Sequence, residues 1–80
     1  MSELQKNVLS YTVIYEADPA GGFVVSVPAL PGCHTEGNTY EEAEANIKEA
    51  IMLYVESLRE RNEEVPQEQI ILQGKVEVVA

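Results

Sequence analysis

One stretch of the chain has a helical period. Ala43, Ile47, Ala50, Ile51, Tyr54, Val55 and Leu58 recur at spacings of three and four, which lays one apolar stripe along a helix. Thr39 followed by Glu42 has the form of a capping box: the Thr39 hydroxyl would accept from the amide of Glu42, and the Glu42 carboxylate would reach back to the amide of Thr39. The predicted helix runs from Tyr40 to about Arg61, some ~33 Å at 1.5 Å per residue. Pro66 disfavours helix at Val65, so the segment Asn62 to Pro66 is expected to end it.

The other apolar runs read as strands. Leu9, Tyr11, Val13 and Tyr15 alternate with Ser10, Thr12, Ile14 and Glu16, and Ile14 breaks the strict alternation. Asp18-Pro19-Ala20-Gly21-Gly22 is a turn: Pro presets φ, Asp bonds ahead to the backbone, and glycine supplies positive φ. Phe23 to Val27 follows as the second arm of an antiparallel hairpin. Pro28 and Pro31 remove two donors, so the segment between them belongs at a sheet end, an edge or a loop. Cys33 to Glu36 is long enough for a third strand. Ile70-Ile71-Leu72 and Val76-Glu77-Val78-Val79 predict a C-terminal strand, bulged at Gly74 or split in two there. The expected architecture is α+β: a three-stranded antiparallel sheet, one long helix packed on it, and that C-terminal strand. Val13, Phe23, Val25, Ile47, Ile51, Tyr54 and Leu58 are the expected core, and residues 1–7 are expected to fray.

Size and charge narrow the picture. Eighty residues make one domain, spanning 1–80, with a small core. Self-association is a common remedy at this size, so a homodimer or larger homo-oligomer is expected. Fourteen acids against five bases give a net charge of −9, which argues against direct nucleic-acid binding and would attract a basic partner. No apolar run is long enough to span a bilayer, and the start of the chain lacks the pattern of a signal peptide. A single cysteine fits a cytoplasmic protein and leaves no intrachain disulfide.

The order of signals resembles the HicB antitoxin family. The residues that carry it are Leu30-Pro31-Gly32-Cys33, then Glu36-Gly37-Asn38-Thr39 with Glu41-Glu42-Ala43, then Asn46-Ile47-Lys48-Glu49-Ala50-Ile51 and Val65-Pro66. The likeness covers about residues 9 to 66. It implies a domain similar to part of the ribonuclease H fold. It also implies a non-enzymatic role: binding and occluding a small basic, messenger-RNA-cleaving toxin of the HicA type. Many members of the family add a C-terminal DNA-binding domain. Only fourteen residues follow Pro66 here, so a short, single-domain member without that domain is expected.

Several residues could carry chemistry. Ribonuclease H catalysis needs converging carboxylates that hold divalent metal. Glu16, Asp18 and Glu36 are the acids on offer, and scattered solvated acids are the plainer reading, so no catalytic residue, metal or cofactor is assigned. Cys33 and His34 are neighbours on a strand and point to opposite faces, which is poor geometry for a nucleophile pair. No phosphate-binding glycine loop occurs. As partner contacts, Glu16, Asp18, Glu36, Glu41 and Glu44 are the candidates, with Thr39 and Glu42 reserved for the helix cap. Two alternatives remain open: a stand-alone homo-oligomeric interaction module without a toxin, and a metal-dependent nuclease on a reduced ribonuclease H-like fold.

Overall fold

The structure is a computed structural model that describes residues 8–80. Strands β1 (Ile14–Ala17), β2 (Phe23–Ser26) and β3 (His34–Gly37) precede helix α1 (Tyr40–Glu60). The strands form one antiparallel sheet in the order β1-β2-β3. The predicted first strand is thus shortened to its last residues, beginning at Ile14. The cause lies in its partner: β2 has only four residues between the turn and the next loop, so Leu9 to Val13 find no ladder there. The expectation of fraying at residues 1–7 lies outside the described residues.

The hairpin turn is closed by its own backbone. Asp18 N–H donates to Gly22 O at 2.9 Å, Gly21 N–H to Asp18 O at 2.8 Å, and Ala20 N–H to Asp18 Oδ1 at 2.9 Å. Gly22 sits at φ +79°, and a Cβ there would lie 2.5 Å from the carbonyl oxygen of Gly37. The proline-containing connection between β2 and β3 is a packed loop. Val27 N–H donates to Cys33 O, Leu30 N–H to Val27 O and Cys33 N–H to Leu30 O, each at 3.0 Å. That closure drives Leu30 into the core, where it is fully buried beside Val25.

One face of the sheet receives α1. Val25, Val27, Leu30, Cys33, Ala43 and Ile47 form the buried cluster, with Tyr11, Val13, Tyr15, Phe23, Ala50, Ile51 and Tyr54 packed against it. Val55 and Leu58 are buried further along the helix. The helix approaches β3 backbone to backbone, because a Cβ on Gly37 would lie 2.4 Å from the amide nitrogen of Ala43. Tyr54 Oη donates to Pro31 O at 2.9 Å and ties the middle of α1 to the loop.

Three expectations need correction. At the helix start, Glu42 N–H donates to Thr39 Oγ1 at 3.0 Å as predicted, but the Glu42 carboxylate takes the amide of Asn38 at 2.5 Å, not that of Thr39. The extended backbone of Thr39 (φ −131°, ψ 165°) precedes the first helical residue, and the reach of Glu42 extends one residue further back. At the helix end, Asn62 in the left-handed region (φ 57°) stops the chain before Pro66 can act. The amide of Glu63 then bonds to Leu58 O at 2.8 Å, closing a Schellman-type cap. Finally, the C-terminal strand is not formed: residues 67–80 carry no strand, and most of their apolar side chains stand in solvent. A strand exists only where a neighbouring backbone completes its hydrogen bonds, and these residues lie against none in the single chain.

Among the described residues, the hydrogen bonds that anchor the C-terminal segment lie at its root. Tyr11 Oη donates to Pro66 O at 2.5 Å, and Thr12 donates to the Glu68 carboxylate from its amide and, at 2.6 Å, from its hydroxyl. Those bonds, first the hydroxyl and then the amide, hold Glu68 below the usual carboxylate pKa.

Candidate partner-binding surface

With α1 on one face, the other face of the sheet is open. Strand residues alternate between faces, so Ile14, Glu16, Val24, Ser26, His34 and Glu36 share the open one. The registers Glu16↔Val24 and Val24↔Glu36 place two exposed carboxylates either side of one valine. With strands about 4.8 Å apart, their backbones lie roughly 10 Å from each other.

Around the end of the sheet, Asp18, Glu36 and Glu42 line one cleft of about 520 Å3, with Phe23, Asn38 and Asn46 among its other walls. No Lys or Arg is among the lining residues. Two of the acids are held by backbone amides: Asp18 by Ala20 and Glu42 by Asn38. Asn46 Nδ2 donates to Glu36 O at 2.8 Å, which joins the second turn of α1 to the end of β3. Two of the three carboxylates, Asp18 and Glu42, are thus oriented by neutral donors rather than by neutralising cations. The result is a concave, negative end to the sheet.

The predicted contact residues divide into two groups. Asp18 and Glu36 line the cleft, while Glu16 lies on the open sheet face with Val24 between it and Glu36. Glu41 is exposed on the first turn of α1 outside the cleft, and Glu44 lines a separate groove. That groove, about 1030 Å3, runs between residues 9–15 and α1 and is walled by Leu9, Tyr11, Val13, Ile51 and Val55 among others. Two residues of the negative cleft escaped the sequence reading in this role. Glu42 was assigned to the helix cap alone, and Asn46 carries no periodic or motif signal for bonding across to β3. Tyr40 packs against the sheet at the start of α1; its ring lies 4.6 Å from Tyr15 and 6.5 Å from Phe23, centroid to centroid.

Cys33 is buried and its thiol is pushed above its usual pKa by that burial, which disfavours the reactive thiolate. His34, next along, is exposed on the open face. Among the described residues no group of three or more His, Cys, Asp or Glu is placed to hold a metal ion. Among the same residues no helix is long and apolar enough to cross a membrane.

Comparison with known sequences decides the family. The profile described as "HicB_like antitoxin of bacterial toxin-antitoxin system" matches residues 11–77. The chain belongs to the HicB-like antitoxin family. It is similar to a UPF0150 protein of Thermoplasma acidophilum, 55% identical over 60 residues that cover 75% of this chain and 87% of that one. A UPF0150 protein of Synechocystis is 44% identical over 72 residues, 90% of this chain and 91% of the relative. One from Thermotoga maritima is 36% identical over 75 residues, 91% and 96% of the two chains. The HicB-like match reaches past Pro66 into the C-terminal segment, beyond the span of the motifs that first suggested the resemblance.

Proposed function

We propose that this HicB-like chain is a cytoplasmic antitoxin that binds a small basic RNA-cleaving toxin of the HicA type and occludes its active surface. The observation that carries the reading is the cleft where Asp18, Glu36 and Glu42 meet without a lining cation, next to Glu16 on the open sheet face. A toxin that grips RNA presents clustered positive charge, and carboxylates preorganised by backbone amides can occupy that charge in place of phosphates. Membership of an antitoxin family supplies the kind of partner. Glu41 and Glu44, outside the cleft, add long-range attraction rather than contact. The three strands and following helix correspond, in this reading, to a partial ribonuclease H-like arrangement used for binding and not for catalysis.

Calorimetric titration of the whole chain with a HicA-type toxin tests this. The expected result is a complex of micromolar affinity or tighter that weakens as salt rises, with Glu16→Lys plus Glu36→Lys lowering the association rate about tenfold or more. Absence of binding at micromolar concentration overturns the antitoxin reading. Unchanged association by the double variant overturns the choice of surface.

A second reading, self-association, is favoured by a specific observation: the apolar side chains beyond Glu68 are left in solvent.

A further inference from the structure

The residues after Glu68 are the least expected part of the molecule. Ile70, Leu72, Val76, Val78 and Val79 are each between 79% and 104% exposed. The chain exposes 6741 Å2 in total, whereas a compact monomer of 8.8 kDa exposes about 4800 Å2. Its radius of gyration is 15.6 Å, against about 12 Å for a compact chain of this length. A standard protein interface removes about 800 Å2 from each partner, well within that excess of surface. A soluble chain rarely leaves so much contiguous apolar surface open unless something docks on it.

We propose that residues 70–79 form an arm that docks on a second copy of this chain, each arm lying along the groove between residues 9–15 and α1 of the other copy. This rests on the self-association reading and is independent of toxin binding. The arm and the groove complement each other in three ways. First, Val76 and Val78 alternate with Glu77, so an extended arm offers both valines to one side. The groove offers Leu9, Tyr11, Val13, Ile51 and Val55 in return, with exposed Met52 at its wall. Second, β1 is an edge strand, and among the described residues the chain leading into it has no ladder partner to its other side, so its backbone can accept an added strand.

Third, charge selects the occupant. Lys75 and Glu77 are the charged residues of the segment 70–80 and they cancel, so the arm is neutral in a chain of net −9. A basic toxin would find no net charge on it to pair with, whereas an identical chain supplies a groove whose apolar lining is interleaved with Glu44, Lys48, Glu56, Arg59 and Glu60, and presents its own arm in exchange. Such a reciprocal contact closes on itself as a twofold dimer and leaves no arm over. The root of the arm is already held at Thr12 and Pro66, beside the groove, so the arm leaves from the place where a partner's arm would arrive.

Light scattering and analytical ultracentrifugation of the whole chain decide between outcomes. The expected result is a dimer that holds or tightens with added salt, because screening relieves repulsion between two acidic chains while apolar contact is unaffected. Val76→Asp plus Val78→Asp should weaken the dimer about 100-fold or more, and the helical signal in circular dichroism should be retained because both positions are exposed in the monomer. Met52→Glu, on the wall of the groove, should weaken it as well. A wild-type chain that stays monomeric at 100-micromolar-scale concentration overturns both self-association and the arm. A dimer unaffected by the arm variants overturns the arm alone.

Discussion

Leu30 and Ile70 are both large, aliphatic and outside any regular element, yet one is fully buried and the other almost fully exposed. The difference is not hydrophobicity. Leu30 sits in a loop whose ends are joined by the Val27–Cys33 bond and whose middle is tied to both ends through Leu30's own amide and carbonyl, so the chain satisfies its polar groups locally and can press the side chain beneath α1. Ile70 follows the last anchored residue, Glu68, and the rest of its chain offers it no surface to cover. Burial therefore requires backbone closure as well as an apolar side chain. Where closure is missing, an apolar run is left in solvent.

The comparison can be broken at three points. Leu30→Ala removes most of a side chain from a sealed site and should cost about 2–5 kcal/mol in denaturant unfolding. A loss below about 1 kcal/mol would show that the loop closes without its plug. A smaller effect is expected where the two regions join. The Glu68 pKa is lowered in the folded chain, so its bonds to Thr12 contribute fully above the unfolded value, near pH 4.5, and the contribution fades as pH falls through the lower folded value. Unfolding midpoints of wild type and Glu68→Gln should accordingly differ most at neutral pH and converge in acid; a gap that widens in acid would contradict the assignment. The smallest effect belongs to the arm itself. Val79→Ala should change the stability of the dilute monomer by no more than about 0.5 kcal/mol, since the side chain touches nothing there. A larger loss under dilute conditions would place the valine against its own chain.

Legibility in the sequence followed the same divide. The α1 stripe was readable because one helix face meets one sheet face, and Ala43, Ile47, Val55 and Leu58 lie on it. The Asp18–Gly22 turn was readable because its chemistry is local. Leu30 was not in the expected core, since a loop has no period to betray which side chain turns inward. The last apolar run looked like a strand because alternation reports what a segment could pair with, not whether a partner is present. At the negative cleft, Asp18 and Glu36 could be picked as acids, but their meeting with Glu42 depends on the β2–β3 register and the Asn46 bond to Glu36. Both are long-range facts that spacing along the chain does not encode.

The contact between Thr12 and Glu68 has a kinetic consequence. Every strand pairs with its sequence neighbour and α1 follows directly, so the sheet and helix can assemble from short loops and should do so quickly. The Thr12–Glu68 bonds close a loop of 56 residues, and only the finished sheet and helix bring their two ends together. They are therefore the last to form and among the first to open in local unfolding. Each newly made chain would complete its sheet and helix before the segment after Pro66 is tied down at Thr12.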